Sequence, residues 1–451
     1  GHGKIIYCRF DIVTNNQEKQ YRAVPKSQIE RFLRLGTMSA SIAGNMLASA
    51  TTDMLTGKKL SLQNMLMTNR NMRSFVTQLS YLRGAALKLG QLLSLEGGDF
   101  IPEPIAKILA EVRSDAYRMP PTQLRQVLAE AWGNDFLSKF RSFDVNPIAA
   151  ASVGQVHKCK TVNDKILAIK VQYPGVKESI NSDVKNMGFL LKTSGLIPSS
   201  IPLEELLLEV KNQLHQEVDY VAESQYLNRF SKLLKNNPYF DVPNLDEEFS
   251  TNKTLAMDFK NGISIERLVN FNQETKNTVI EKVITLIFME IFEFNLVQTD
   301  PNFANFLYDE STRKIVLLDF GATKTLDTKT VNTFRMLIKA VLRQNTEDIK
   351  DHLIELELIT KDLPDNLINS ILDLISKYSL PIIEDKFFDF SNPSLISDIE
   401  TLGKQFIASR NKISVPPINT LLIQRKIGGM FMLARRFRAR IDLKTIIHNF
   451  I

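Results

Sequence analysis

The chain has 451 residues, of which 44% are hydrophobic and 24% are charged, and its formal net charge is +6. This length suggests about three domains and allows a sizeable core, and the mild positive charge permits attraction to anionic surfaces. Its two cysteines, Cys8 and Cys159, have no ligand spacing, which excludes a disulfide framework and a cysteine-based zinc site.

Residues 1–24 are polar and mixed, and they predict an arm with little strand structure. The chain opens Gly-His-Gly, so we expect a trimmed or processed N-terminus from which a targeting signal would have been lost. Residues 25–145 are then predicted to form an N-terminal helical extension. Within it, small residues recur at every fourth position, at Gly36, Ala40, Gly44 and Ala48.

On a helix, this spacing produces a smooth stripe that another helix can approach closely. Residues 36–50 therefore fit a membrane-associated or dimerising helix, although Asn45 and several serines make spanning difficult. A close-packed soluble helix is the alternative, and the sequence leaves both open, together with the oligomeric state.

Residues 72–96 carry apolar side chains at helical spacing and predict one long helix. Gly84 and Gly90 lie within it, and each costs about 1 kcal/mol relative to alanine. Two such glycines indicate that another backbone approaches closely. Lys88 and Gln91 are three residues apart, so we expect them to share one helical face beside Gly90.

Ala149, Ala150, Ala151 and Ser152 stand where a kinase carries its glycine-rich loop, and two predicted strands follow them. Lys170, in the second of these strands, matches the lysine that contacts the first phosphates of the nucleotide. Alanine brings a Cβ atom and loses easy access to positive φ, so we expect a stiff loop and altered phosphate placement. A plain structural turn is the alternative interpretation of the alanines.

A helical pattern over residues 204–234 contains the acids Glu217, Asp219 and Glu223. A kinase needs one helical glutamate to pair with its strand lysine. Asp219 and Glu223 share a face, whereas Glu217 points elsewhere; a solvated acidic face is the alternative for each. We expect residues 146–260 to form a kinase-like small lobe with a helical insertion.

The strongest pattern lies in residues 298–323, where Asp300 and Asn305 have D-x-x-x-x-N spacing. A short apolar strand follows and ends in Asp319-Phe320-Gly321. In kinases, the first aspartate orients the attacking hydroxyl or water, while the asparagine and the second aspartate hold Mg²⁺. The pattern therefore predicts ATP or ADP and Mg²⁺ as ligands, and residues 261–451 as a mostly helical large lobe of a bilobal α/β fold.

The chain departs from protein kinases on both sides of this pattern. Gln298-Thr299 replaces His-Arg before Asp300, and no Ala-Pro-Glu follows Gly321. Both differences weigh against phosphorylation of proteins. A last predicted helix, 418–441, ends in four arginines for which a phospholipid patch, a nucleic-acid patch and a solvated face are the alternatives; without aromatic interleaving we expect no nucleic-acid binding.

Four stretches together resemble the UbiB family of atypical kinases: Lys88-Leu89-Gly90-Gln91, the loop Ala149–Ser152, Glu217-Val218-Asp219, and QTDPNFANF with LLDFGAT. The segments RGAALKLGQLLS and VQYPGVKESINSDV are similar to its mitochondrial branch, which supports coenzyme Q synthesis. The resemblance covers roughly residues 25–445.

This resemblance implies that Lys88 and Gln91 cover the place of a peptide substrate, that Lys88 pairs with Glu217 and Asp219, and that Glu223 pairs with Lys170. It also implies an ATPase on the matrix side of the mitochondrial inner membrane. Its partners would be a nucleotide, anionic phospholipid and the coenzyme Q biosynthetic proteins, and residues 36–48 match a region regarded as membrane-embedded.

Two other functions fit the same residues. A small-molecule kinase could phosphorylate a lipid or a quinone precursor with the same acids. A scaffold could bind nucleotide and change shape without turnover, although a complete set of metal-binding residues weighs against it.

Overall fold

The computed structural model of the chain describes residues 69–95, 106–108, 112, 118–194, 197, 203–300, 302–409 and 418–451. The predicted arm and the small-residue stripe lie outside these residues. The chain forms two compact units. The N-terminal unit comprises the residues up to Asn228 together with Asn244–Lys260. The C-terminal unit comprises Arg229–Pro243 and Asn261–Ile451.

Thirteen helices of the described residues are used below. They are α1 Asn69–Tyr81, α2 Arg83–Leu95, α3 Pro121–Trp132, α4 Val176–Ser194, α5 Leu203–Glu217, α6 Tyr220–Leu233, α7 Gln273–Met289, α8 Thr328–Leu342, α9 Thr346–Glu355, α10 Asp365–Ile383, α11 Pro393–Ser409, α12 Ile418–Arg436 and α13 Leu443–His448.

The strands are short, and most of them pair antiparallel. They are β1 Phe140–Phe143, β2 Ala149–Ala150, β3 Gly154–Thr161, β4 Ile166–Gln172, β5 Phe240–Asp241, β6 Thr254–Asp258, β7 Ile263–Ser264, β8 Leu296–Gln298, β9 Phe306–Asp309, β10 Lys314–Leu317, β11 Thr323–Thr325, β12 Phe388–Asp389 and β13 Arg440–Ile441.

The N-terminal unit is built on a five-stranded sheet in the order β1-β3-β4-β6, with β2 paired to β3. In β4, Leu167, Ile169 and Val171 are fully buried. Successive side chains of a strand point to opposite faces, so this alternation turns Lys170 away from that core. One face of the sheet packs on α3 and forms an apolar cluster with it. Trp132 is partly buried against this cluster, and its Nε1 donates to the Phe249 carbonyl at 3.1 Å.

The C-terminal unit contains a four-stranded sheet in the order β5-β10-β9-β7, in which only the β5–β10 pair is parallel. Two further pairs, β8–β11 and β12–β13, are antiparallel. The remaining residues are mainly helical, with α8, α9 and α10 packed around one apolar cluster. Within the described residues, no helix combines the length and apolar character needed to cross a bilayer.

Two predicted long helices are each divided in the structure. The helix expected over 72–96 is interrupted by a turn at the buried Leu82, which separates α1 from α2. The helix expected over 204–234 breaks at Val218-Asp219, because Asp219 Oδ1 accepts a hydrogen bond from Ala222 N at 2.9 Å and starts α6. Aspartate stabilises helix starts in this way.

Two predicted boundaries also differ from the structure. Residues 140–143, expected in the helical extension, form β1, because Phe140 and Phe143 bury their rings against β3. The last helix ends at Arg436, since Arg438 adopts a left-handed conformation and Arg440 enters a strand.

One segment of the predicted small lobe belongs to the C-terminal unit in the structure. Residues 229–243 were expected within it but belong to the C-terminal unit. The reason is that Phe240 and Asp241 form β5, which pairs with β10 of that unit.

Candidate active site

Lys170 forms a buried ion pair with Glu223. Its Nζ lies 2.7 Å from Glu223 Oε1 and 2.9 Å from Oε2, and the two side chains are 14% and 2% exposed. The ring of Tyr220 lies 5.3 Å from the same Nζ. Because Tyr220 and Glu223 are three residues apart, they lie on one face of α6 and together surround the ammonium group.

The start of α6 determines where this face points. Asp219 is exposed, and its carboxylate caps α6 through Ala222 N, while its carbonyl accepts from Glu223 N at 3.0 Å. The sequence resemblance implied a pairing of Asp219 with Lys88, but the contact described for the Asp219 carboxylate is this cap. Asp219 therefore orients the glutamate that holds Lys170.

Glu217, at the end of α5, joins α2 to the alanine-rich loop. Its carboxylate forms an ion pair with Lys88 Nζ and accepts a hydrogen bond from Ser152 Oγ. Gly84 lies one turn before Lys88, and a Cβ atom there would come within 2.5 Å of the Ser152 carbonyl oxygen. The glycine therefore allows the backbones of α2 and the loop to touch, as its sequence position suggested.

Gln91 does not share the environment of Lys88. The Lys88 side chain is buried, whereas Gln91 is exposed. Three residues turn a helix of 3.6 residues per turn by about 300°, so the two side chains point only about 60° apart, and the difference in burial comes from what packs against each of them. Their predicted common role stays a prediction.

The alanine-rich stretch forms a tight hairpin. Ala149 and Ala150 form β2, which pairs with β3, and Ala151 N donates to the Gly154 carbonyl at 2.8 Å. A Cβ atom on Gly154 would lie 2.3 Å from the Val171 carbonyl oxygen. Backbone pairing and the contact of Ser152 with Glu217 thus hold the loop, and its predicted stiffness stays a prediction.

In the C-terminal unit, Asp300 and Asn305 are joined directly. Asn305 Nδ2 donates to Asp300 Oδ2 at 3.2 Å, and Asn302 N donates to Asp300 Oδ1 at 2.9 Å. A 3₁₀ turn, Phe303–Asn305, shortens the chain between them. The turn thus places the predicted nucleophile-orienting acid beside the predicted metal-binding amide.

Asp319 is brought to the same place by the pairing of β8 with β11. Gln298 Nε2 donates to the Asp319 carbonyl at 3.2 Å, and Thr299 Oγ1 donates to the Ala322 carbonyl at 2.6 Å. Asp319 Oδ1 accepts from Gly321 N at 3.0 Å. A small recess is lined by Glu290, Gln298, Asn305, Phe306, Leu317, Leu318, Asp319 and Phe320.

The residues of this recess fit Mg²⁺. The cation prefers oxygen ligands and needs only one or two carboxylates from the protein. Asn305 engages Asp300 through its nitrogen, which directs its carbonyl oxygen elsewhere, and Asp319 supplies a carboxylate in the same recess. Asn305 and Asp319 would hold the ion, as the D-x-x-x-x-N and DFG pattern predicts.

Sequence reasoning missed two members of this region, Glu290 and Lys426. Glu290 stands among apolar and aromatic residues in FMEIFEF, whereas Lys426 follows Gln424 and Arg425 in LLIQRKIGG, and both side chains are fully buried. Charged side chains are almost never fully buried unless paired, so the apolar neighbours of Glu290 were a signal for a buried partner, but the sequence does not show that the partner is Lys426.

A strand lysine clamped by a helical glutamate, together with the D-x-x-x-x-N and DFG acids, defines a protein with a protein-kinase-like fold. The ABC1 atypical kinase-like domain matches residues 111–353, and the chain belongs to this family. Membership of this family supports a phosphotransferase or ATPase activity and implies that the protein uses ATP.

Two relatives extend the match over nearly the whole chain. The mitochondrial atypical kinase COQ8 of Saccharomyces cerevisiae is 33% identical over 423 residues, which are 93% of this chain and 84% of the relative. The mitochondrial atypical kinase COQ8B of Rattus norvegicus is 32% identical over 430 residues, 95% and 81% of the two chains. The resemblance to the mitochondrial branch of the UbiB family is confirmed, and a role in coenzyme Q synthesis agrees with these relatives.

A solved structure supports the fold. The Rv3197–erythromycin complex from Mycobacterium tuberculosis aligns with a TM-score of 0.56 at 19% identity, covering 92% of this chain and 98% of the other. The predicted kinase-like fold with mixed α and β structure is therefore confirmed.

Proposed function

We propose that this protein is a Mg²⁺-dependent ATPase of the atypical kinase type that supports coenzyme Q biosynthesis in mitochondria. The observation that carries the proposal is the contact of Asp300 with Asn305 beside a recess that Asn305 shares with Asp319. An acid, an amide and a second acid in this arrangement suit phosphoryl transfer, which depends on positioning and on stabilisation of charge.

Each residue then has a separate task. Lys170, held by Glu223, would contact the first phosphates of the nucleotide, and the loop Ala149–Ser152 would take the part of the kinase glycine-rich loop. Asp300 orients the attacking water, and Asn305 and Asp319 hold Mg²⁺. Bound Mg²⁺ would neutralise charge on the phosphate oxygens.

The relatives support a mitochondrial location, and the sequence resemblance implies the finer location and the partners. Both relatives named above carry the word mitochondrial in their names. We propose that the protein acts on the matrix side of the inner membrane, in contact with anionic phospholipid and with the proteins that build coenzyme Q.

Steady-state ATP hydrolysis by the purified chain, with and without vesicles containing cardiolipin, tests this function. Asp300→Asn should lower the rate by about 10²- to 10⁴-fold, the usual contribution of a positioned acid or base. Asp319→Asn should abolish the Mg²⁺-dependent rate. Asp327→Asn is the matched control, because the exposed Asp327 only caps α8 and an asparagine caps equally well. If Asp319→Asn hydrolyses ATP as fast as the parent, the mechanism is wrong.

A small-molecule kinase is the second candidate, favoured by the contact of Asp300 with Asn305. The same orientation that activates a water would activate a lipid or quinone hydroxyl. Transfer of labelled phosphate to an extracted lipid by the parent, but not by Asp300→Asn, would favour it over hydrolysis.

A further inference from the structure

The C-terminal unit contains an ion pair, Glu290–Lys426, that none of the proposed roles uses. Lys426 Nζ donates to Glu290 Oε2, and the side chains are 2% and 1% exposed. Burial raises the pKa of Glu290, while the charge of Lys426 opposes this shift. Burying two charges carries a large desolvation cost, and apolar residues of similar size often serve stability equally well. The position of the pair therefore calls for another explanation.

The second carboxylate oxygen of Glu290 is hydrogen-bonded to a residue of the candidate active site. Gln298 N donates to Glu290 Oε1 at 3.4 Å, and Gln298 is the last residue of β8, two positions before Asp300. The Gln298 side chain in turn donates to the Asp319 carbonyl at 3.2 Å. A continuous chain of hydrogen bonds thus runs from Lys426 to the backbone of Asp319.

Glu290 also lines the recess that contains Asn305 and Asp319. Both of its carboxylate oxygens already have protein partners, Lys426 and Gln298. Its carboxylate is therefore engaged by the protein, and it supports the residues proposed to bind the metal instead of binding the metal itself. Groups in such outer positions fix the orientation of the residues in front of them, and their loss typically costs about 10- to 100-fold in metal affinity or activity.

We propose that Lys426 and Glu290 are positioning residues, through which α12 fixes β8 and the Asp319 backbone for binding of Mg²⁺. The inference rests on the proposed function, because it assigns Asn305 and Asp319 to the metal. Lys426 holds the Glu290 carboxylate in place, and that carboxylate holds the strand that leads into Asp300.

The first experiment measures metal binding. With Mn²⁺ as a paramagnetic probe and a non-hydrolysable ATP analogue present, Lys426→Met and Glu290→Gln should each weaken Mn²⁺ binding about 10- to 100-fold. The Mg²⁺ concentration for half-maximal hydrolysis should rise by the same factor. Gln424→Leu is the matched control, because Gln424 also lies on α12 but donates to the Leu358 carbonyl, away from the recess; it should bind Mn²⁺ as the parent does.

The second experiment detects the positioning itself, without nucleotide. The Gln298 amide is the donor to Glu290, so hydrogen exchange at 296–300 should accelerate in Lys426→Met and Glu290→Gln. Exchange in β3 and β4 of the N-terminal unit should stay at the parental rate. Faster exchange throughout the protein would show loss of stability alone and would overturn the inference.

A double variant separates positioning from folding if either single variant fails to fold. Glu290→Leu combined with Lys426→Met replaces the pair by apolar side chains, which often preserves stability. The double variant should fold, yet bind Mn²⁺ weakly and exchange rapidly at Gln298. The single variant Lys426→Arg, which keeps a cation beside Glu290, should show Mn²⁺ binding and exchange closer to those of the parent. Parental Mn²⁺ binding in the double variant would overturn the inference. If the parent itself hydrolyses no ATP, the proposed function fails, while metal binding and exchange still decide the role of the pair.

Discussion

Lys170 Nζ contacts both carboxylate oxygens of Glu223, at 2.7 and 2.9 Å, across 53 residues of sequence. The contact joins the middle of β4 to the first turn of α6. The ammonium group of Lys170 can contact a phosphate only if the ion pair with Glu223 holds it in this position. The first prediction tests that dependence.

Glu223→Gln should weaken nucleotide binding about 10- to 100-fold, because a hydrogen bond to a charged group contributes about 1.5–3 kcal/mol. Titration of a fluorescent ATP analogue measures the change. Glu204→Gln serves as control, since Glu204 pairs with Lys192 on an exposed surface. Equal binding by Glu223→Gln and the control would show that the clamp does not prepare Lys170 for the nucleotide.

Gly84→Ala should destabilise the N-terminal unit by about 1–3 kcal/mol, the usual range for overpacking. The new Cβ atom would lie 2.5 Å from the Ser152 carbonyl, where two backbones meet. Urea unfolding measures the effect. Gly403→Ala is the matched change in another helix, where no atom lies within 4 Å of the new Cβ. It should stabilise α11 by up to about 1 kcal/mol. The same sign for both variants would contradict the close approach of α2 to the loop.

Lys88→Met should lower the free energy of unfolding by about 1–3 kcal/mol, because it leaves the Glu217 carboxylate without its cation. The Lys88 and Glu217 side chains are 10% and 25% exposed, so solvent compensates only in part. Gln91→Ala should stay within about 0.5 kcal/mol of the parent, since Gln91 is exposed. Parallel urea unfolding curves compare the two, and an equal loss would indicate that both side chains contact the same surface.

His157 should make the protein less stable in mild acid. Burial lowers the pKa of His157 from 6.5 to about 4. Below pH 6.5 the His157 ring therefore binds a proton in the unfolded chain but not in the folded chain, so the free energy of unfolding falls as the pH drops from 6.5 towards 4. The loss from this one group approaches about 3 kcal/mol at 1.36 kcal/mol per pKa unit.

Burial keeps His157 neutral, and its hydrogen bond with Gln155 fits the neutral ring. Its Nδ1 donates to the Asp144 carbonyl at 2.8 Å, and its Nε2 accepts from Gln155 Nε2 at 2.8 Å. The Gln155 amide cannot turn round, because its oxygen accepts from Met119 N at 3.1 Å. His157→Gln should therefore flatten the pH dependence of urea unfolding between pH 7.5 and 5, whereas His448→Gln, at an exposed site, should not. An unchanged slope in His157→Gln would contradict the assignment.

The local sequence determined the parts of this protein that depend on nearest neighbours. The alternation of apolar residues in β4 turned Lys170 away from the core, and the apolar run before Asp319 gave β10, which ends two residues before that acid. Asp300 and Asn305 meet because one 3₁₀ turn shortens the path between them, which holds four residues. Such patterns are readable because strand and turn geometry follow directly from spacing along the chain.

Only the tertiary structure decided which distant residues meet. Nothing in the spacing of Lys88 and Gln91 shows that the first is buried against Glu217 and the second exposed. The break before α6 was hidden within a continuous helical pattern, because the cap by Asp219 competes with a helix that the local residues also favour. The pairing of Lys426 with Glu290, 136 residues apart, exists because folding brings α12 against the end of α7, where neither charge is stable without the other.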